Sequence, residues 1–348
     1  MKTNLYLLIL GAIAGTVIAV VVVNAGMDKG TDGKGTPTYK KFDSSVEVIM
    51  ADWFMSPPPI TEHGKNVDRV IVFVHAMMAV LFVGWTLYFL GCIYKFRESA
   101  HPTADNVGPS KLWTTVVEYG VIVAEVVLIV SFAVPLWNEV MSVDRIADIK
   151  KAAASDKGLE IHILAKQFDW NARYAGNDKK FEAQNINFAN KVDNPFGLDQ
   201  SDAENDDVTV LSARDKDNTI MVPVDTPIAL KITSMDVIHS FKVLPLRVCK
   251  DAIPGLQLPI WFEAKSDYLR FTPDKDGEYI FPITCAQLCG DGHGYMIGYL
   301  KVLPKDKFKA WLKEESEKQR AKRGEAEESK KQQAKRSEAA TVVAKATQ

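Results

Sequence analysis

Three long apolar runs come first, and a region of short apolar runs between turns follows them. Residues 4–24, 70–94 and 112–137 are each long enough to cross a bilayer, which takes ~20 apolar residues. The first run has Lys2 before it and Val23-Asn24-Ala25 behind it. It reads either as a retained helix or as a signal peptide with a small-residue cleavage site. The polar loop between the second and third runs holds Lys95, Arg97, His101 and Lys111. Positive charge stays inside, so this loop is expected in the cytoplasm and everything beyond Asn138 outside. Trp113 and Trp137 bracket the last run as interface anchors. The expected organisation is a helix or signal peptide over 1–25, an extracytoplasmic linker over 26–68 and a transmembrane hairpin over 69–140.

Glu118 and Glu125 interrupt the third run. Seven residues apart, they share one helix face. An ionisable group inside a membrane is costly and points to a function, here a candidate proton path or a face turned to a partner protein. The bland alternative is that Glu118 lies shallow enough to reach interfacial water.

After a short polar helix expected over 139–157, β-prone runs recur at 159–166, 208–212, 219–222, 228–233, 237–243, 259–263, 268–271, 278–284 and 297–303. Many short strands between Gly, Pro and Asp turns predict a β-sandwich or barrel. The fold class is thus a membrane-anchored all-β protein, with the β domain over 155–312 and a charged tail over 313–348. Residues 305–318 read as a capping helix. Residues 319–348 are too polar to bury a core and are expected to be disordered or a solvated helix. The excursion 175–217 carries Asp199, Asp202, Glu204, Asp206 and Asp207. It reads either as a solvated acidic loop or as a docking surface for a basic partner.

Charge narrows the partners. The chain has 348 residues, with Lys+Arg 42 against Asp+Glu 44, a balance that excludes a globally basic nucleic-acid binder. Of the four cysteines, Cys92 sits in an apolar run and reads as packing, and Cys249 beside Lys250 as structural. No Cys-x-x-Cys-His is present, so no covalent haem is expected on this chain.

The chemistry concentrates in Cys285-Ala-Gln-Leu-Cys289-Gly-Asp-Gly-His293-Gly-Tyr-Met296. Thiolate and thioether prefer soft metals, and imidazole suits copper and zinc. The methionine argues against a structural zinc, which Cys and His close alone. A single blue-copper ion takes one Cys, two His and a weak Met, whereas this loop has two Cys and one His. His239, in Val-Ile-His-Ser-Phe, is the best candidate for a second imidazole. Two coppers sharing both thiolates would use this set economically, with a loop carbonyl as a further donor. A Cys285–Cys289 disulfide is the bland alternative, and it leaves His293 and Met296 unexplained. Glycines 290, 292 and 294 let the loop turn tightly.

This loop after an upstream His-Ser-Phe resembles subunit II of haem–copper cytochrome c oxidases. The resemblance spans residues 67–312 and includes Asp251-Ala-Ile-Pro-Gly255 and Gln167-Phe-Asp-Trp170. It implies a cupredoxin fold. It further implies a dinuclear CuA centre held by His239, Cys285, Cys289, His293, Met296 and the carbonyl of Gln287. Electrons would pass from a c-type cytochrome to CuA and on to haem in subunit I, where oxygen is reduced. The implied partners are subunit I, other oxidase subunits and the cytochrome, in the plasma membrane with the copper domain on the periplasmic side.

Departures from the family pattern limit what carries over. Gln287 stands where the family has a Glu that also binds magnesium, and a neutral amide is a poorer ligand for a hard cation. Where the family has a tryptophan that receives electrons, this chain has Phe168, while Trp170 is kept. Asp236 matches a family acid near the donor site. The glutamate that precedes the Trp113-Thr114 pair in relatives and begins a proton path is absent here. The alternative functions are the CuA subunit of a haem–copper nitric oxide reductase and a membrane-anchored copper-binding protein.

Overall fold

The computed structural model describes residues 45–103, 108, 110–155, 157–202, 204–215, 218–269, 271, 273 and 278–346. The first apolar run and the Gly-rich stretch behind it lie outside these residues.

The chain divides into two units, residues 1–58 with 63–139, and residues 59–62 with 140–348. In the first unit, helix α1 (Ser45–Phe54) ends before Pro57-Pro58-Pro59, which cannot continue a helix. Helix α2 spans Glu62–Lys95 and α3 spans Lys111–Leu128. A π-helical turn over Ile129–Ala133 joins α3 to α4, Val134–Met141. Pro135 in the first turn of α4 has no N–H to give to the preceding turn, and π-turns absorb such a mismatch. Two helical stretches, Glu62–Lys95 and Lys111–Ala153, are long and apolar enough to cross a membrane, and their apolar windows are unburied. Phe73 stacks on Phe132 at 5.1 Å. Within the expected linker over 26–68, residues 45–54 and 62–68 are helical.

The second unit begins with helix α5, Val143–Ala153, capped by the Ser142 hydroxyl. Among the described residues, ten strands follow in two sheets. One has the order β3-β2-β1-β5-β8 and the other β4-β10-β9-β6-β7. The strands are β1 Leu159–Lys166, β2 Asp169–Tyr174, β3 Val208–Val210, β4 Ile220–Pro223, β5 Ile228–Ser234, β6 His239–Val243, β7 Val248–Ala252, β8 Leu258–Phe262, β9 Tyr279–Cys285 and β10 Ile297–Leu303. Both sheets feed one core, which includes Ile161, Ile163, Trp170, Ile220, Leu230, Phe241, Phe281 and Leu300. The pairings β1–β5 and β4–β10 are parallel, the others antiparallel. This is the expected β-sandwich.

Two strands escaped the sequence reading. Strand β2 reads Asp-Trp-Asn-Ala-Arg-Tyr, and its Asn171 and Arg173 are buried. Asn171 Nδ2 donates to the Leu164 carbonyl at 3.1 Å and Arg173 Nε to Asp207 Oδ2 at 2.9 Å. Buried polar groups with partners hide the apolar alternation of a strand. Strand β7 is the return arm of a hairpin with β6, turned at Arg247 in the left-handed region (φ 53). Among the described residues of 268–271 no strand forms: Ser266–Tyr268 is a 3-10 turn.

Helix α6 runs unbroken from Lys305 to Ala346, so the capping helix and the tail are one element. Its first five turns are docked and not solvated. Ser316 and Arg323 are buried. The Gln319 amide accepts from the Thr209 N–H at 3.0 Å and donates to the Thr209 carbonyl at 2.9 Å, closing the free edge of β3.

Candidate metal centre

Sheet order places the candidate ligands together. Strands β9 and β10 are antiparallel neighbours, with Ile297 opposite Thr284, so residues 286–296 form the loop between them. Strand β6 lies on the other side of β9, with Phe241 opposite Cys285. Cys285 ends β9, His239 begins β6 and Met296 directly precedes β10. Three chain ends meet at one end of one sheet.

Their donor atoms converge. Cys285 Sγ stands 3.8 Å from Cys289 Sγ, 3.9 Å from His239 Nδ1 and 3.1 Å from the Gln287 carbonyl oxygen. Cys289 Sγ stands 3.6 Å from His293 Nδ1 and 3.8 Å from Met296 Sδ. Ligand atoms of His239, Cys285 and Cys289 all lie within 4.8 Å of one another. Both cysteines are free thiols, so the disulfide alternative is not formed. All six residues singled out in the sequence therefore share one cluster. Gln287 enters it by its carbonyl while the residue itself is exposed. The donor chemistry suits a soft or borderline metal.

Surrounding groups hold this set. His239 is fully buried, and its Nε2–H donates to Asp236 Oδ1 at 2.9 Å, which leaves Nδ1 to face the sulfurs. Such an outer carboxylate fixes both tautomer and ring orientation. Asp236 Oδ2 accepts the Gln167 N–H at 2.9 Å, and the Gln167 side chain donates to the Cys289 carbonyl at 2.8 Å. Gln167 thus ties the loop to the His239 strand. Gly290 sits at φ +125, and a Cβ on Gly292 would stand 2.4 Å from the Phe168 ring. Those two glycines are required; Gly294 faces open space. Burial would raise the Cys285 thiol, but hydrogen bonds with His239 and with the backbone at Ser240 and Gln287 bring it down to about 6. Burial and the neighbouring Cys285 sulfur push Cys289 up to about 12. Burial alone would lower His239, but its bonds to Cys285 and Asp236 hold it above the usual imidazole range.

The other singled-out residues divide. Phe168 is half-buried over the loop glycines. Trp170 is fully buried, edge-on to His239 at 6.3 Å and to Phe241 at 5.3 Å, so it offers no surface to a docking protein. Asp236 turns inward to His239, and burial is outweighed by its hydrogen bonds from Gln167, His239 and Val237, which hold its carboxyl below the usual range. Glu118 and Glu125 are exposed on α3, in the other unit. The acids read as a docking loop are corrected at Asp206 and Asp207. Both are buried; Asp207 pairs with Arg173, and Asp206 Oδ2 accepts the Asn177 N–H at 2.6 Å. Gln167 was quoted in the sequence but given no role, and Lys191 was not singled out at all.

Comparison with known proteins places the sandwich. Residues 159–302 match the family model described as cytochrome c oxidase subunit II, periplasmic domain. An alternative cytochrome c oxidase subunit 2 of Bradyrhizobium diazoefficiens is 24% identical over 269 residues, 77% of this chain and 86% of that one. Cytochrome c oxidase subunit 2 of Cyanidium caldarium is 26% identical over 281 residues, 80% of this chain and 95% of that one. Among solved structures, the periplasmic domain of subunit II of cytochrome oxidase from Bradyrhizobium japonicum is 23% identical, covering 47% of this chain and 98% of that one, with a TM-score of 0.32. With its ligand loop, its sandwich and relatives that are named as cytochrome c oxidase subunits, the chain is similar to subunit II of haem–copper oxidases, most specifically over residues 159–302.

Proposed function

We propose that this chain accepts electrons from a c-type cytochrome and passes them to subunit I of a respiratory oxidase. Cys285, Cys289, His239, His293, Met296 and the Gln287 carbonyl would hold two copper ions. Those ions, when bound, supply a one-electron redox centre. One observation carries the reading: two sulfurs lie 3.8 Å apart, with one imidazole Nδ1 beside each. A single tetrahedral metal would be filled by the two sulfurs and two imidazoles and would leave the Met296 thioether and the Gln287 carbonyl unused, whereas two metals sharing the sulfurs would have an imidazole and one further donor apiece.

The chain's own residues prepare the site. Asp236 holds the His239 ring, and Gln167 holds the loop to it. Burial of His239, Cys289 and Met296 excludes water from the inner side and limits the rearrangement that solvent would impose on charge transfer. Met296, a weak thioether donor, tunes more than it binds. Phe168, lying over Gly290 and Gly292, is the surface aromatic where electrons enter. Residues 69–140 form the membrane hairpin, residues 155–312 the copper domain on the periplasmic side, and Glu118 and Glu125 face a membrane partner as a candidate proton path. Magnesium has no carboxylate at position 287 to bind.

Mixing the copper-loaded full-length chain with a reduced c-type cytochrome tests this. Cytochrome oxidation should follow, and should be lost with Cys289→Ser. No oxidation by the copper-loaded wild type would overturn the proposal.

A further inference from the structure

Between β2 and β3 the chain makes a long excursion whose middle returns to the outer side of His239. Asn190 Oδ1 accepts the N–H groups of Val192 at 3.0 Å and Asp193 at 2.8 Å. The Asn190 N–H donates to the Asn194 carbonyl at 3.0 Å. Asn194 Nδ2 in turn donates to the carbonyls of Phe188 at 3.0 Å and Leu198 at 2.7 Å. Behind this turn, Phe196 and Leu198 pack with Leu164, Leu211 and Met235 in a small core of their own. Met235 immediately precedes Asp236. The turn is therefore anchored to the same backbone that carries the carboxylate behind His239.

Lys191 rides on this turn. Its carbonyl accepts from the buried Lys166 ammonium, and its own Nζ stands 3.5 Å from Asp236 Oδ2. The other oxygen of Asp236 takes the His239 Nε2–H at 2.9 Å. A line of three groups runs from solvent to the donor cluster. We propose that Lys191 is a positioning residue that acts through Asp236 and His239 to raise the reduction potential of the metal centre. This rests on the copper reading above.

The sign follows from charge. Without the ammonium, the Asp236 carboxylate accepts more strongly from the His239 N–H, and the imidazole becomes a better donor. A better donor favours the oxidised metal, so the potential falls. Removing a nearby positive charge disfavours an added electron as well, in the same direction. Lys191 is exposed, so salt should weaken its effect.

The test uses the full-length copper-loaded chain in detergent. Lys191→Gln should keep the copper content and optical spectrum and lower the midpoint potential at low salt. The difference from wild type should shrink at high salt, and Lys191→Arg should restore the wild-type value. An unchanged potential in copper-loaded Lys191→Gln would overturn the relay alone, as would a Lys191→Arg shift as large as that of the glutamine variant. A wild-type chain that takes up no copper would overturn the metal reading and this inference with it.

Discussion

Two polar clusters are built into the same sandwich, and they differ in what neutralises them. Near α6, Asp207 takes the Arg173 guanidinium on its side chain and Arg323 on its carbonyl, and Asp206 takes the Asn177 N–H. Acids and guanidiniums answer one another there. At the sheet end, two sulfurs, two imidazoles, a thioether and a carbonyl converge, and among the described residues no lysine or arginine is recorded against the sulfurs. Buried charge must be paired or coordinate a metal. The first cluster is neutralised by guanidiniums of the chain itself, although Asp206 Oδ1, Asp207 Oδ1 and Arg323 Nε have no hydrogen-bond partner, and it serves structure, fastening α6. The second is a set of lone pairs suited to a soft or borderline cation.

Substitutions separate the two clusters. The largest effect belongs to Cys289→Ser, which removes a shared sulfur. Metal analysis should fall from two coppers per chain to one or none, with the sandwich still folded by circular dichroism. Asp207→Asn should do the reverse. Breaking a buried ion pair costs about 3–5 kcal/mol, so denaturant unfolding should show that loss while copper content holds at two. Gly292→Ala comes next, because its Cβ would meet the Phe168 ring at 2.4 Å. Copper affinity should drop, and Phe168→Leu in the same chain should recover part of it. Met296→Leu should retain both coppers and shift the potential, as expected of a weak ligand. The mildest is Gln287→Ala, since only the carbonyl faces the sulfurs; its spectrum should match wild type. A Gln287→Ala chain that lost copper as Cys289→Ser does would erase the distinction between side-chain and backbone donors.

The same comparison explains what was legible in the sequence. Cysteines four apart, followed by His293 and Met296, specify a donor set almost independently of context, and strand β6 brought His239 to it. The strands with β-branched runs, such as β1 and β5, were legible for the same local reason. Acid density is not specific in this way. Asp207 looks solvated in sequence because its partners, Arg173 and Arg323, lie 34 and 116 positions away along the chain, and Asp206 because its partner Asn177 lies 29 positions away. Strand β2 was hidden by the same pairing, since its buried Arg173 and Asn171 break the apolar alternation. Lys191 gave no signal at all: its meeting with Asp236 depends on a turn whose anchors, Phe196 and Leu198, make sense only beside Leu164 and Met235.

The central claim is that the lone-pair cluster takes two metals that share both sulfurs. Copper reconstitution of the full-length chain, followed by metal analysis and electron paramagnetic resonance of the same sample, tests it most directly. Two coppers per chain with a single unpaired electron delocalised over both nuclei is the predicted result. One copper per chain with a signal confined to a single nucleus, or zinc at full occupancy in its place, would contradict it.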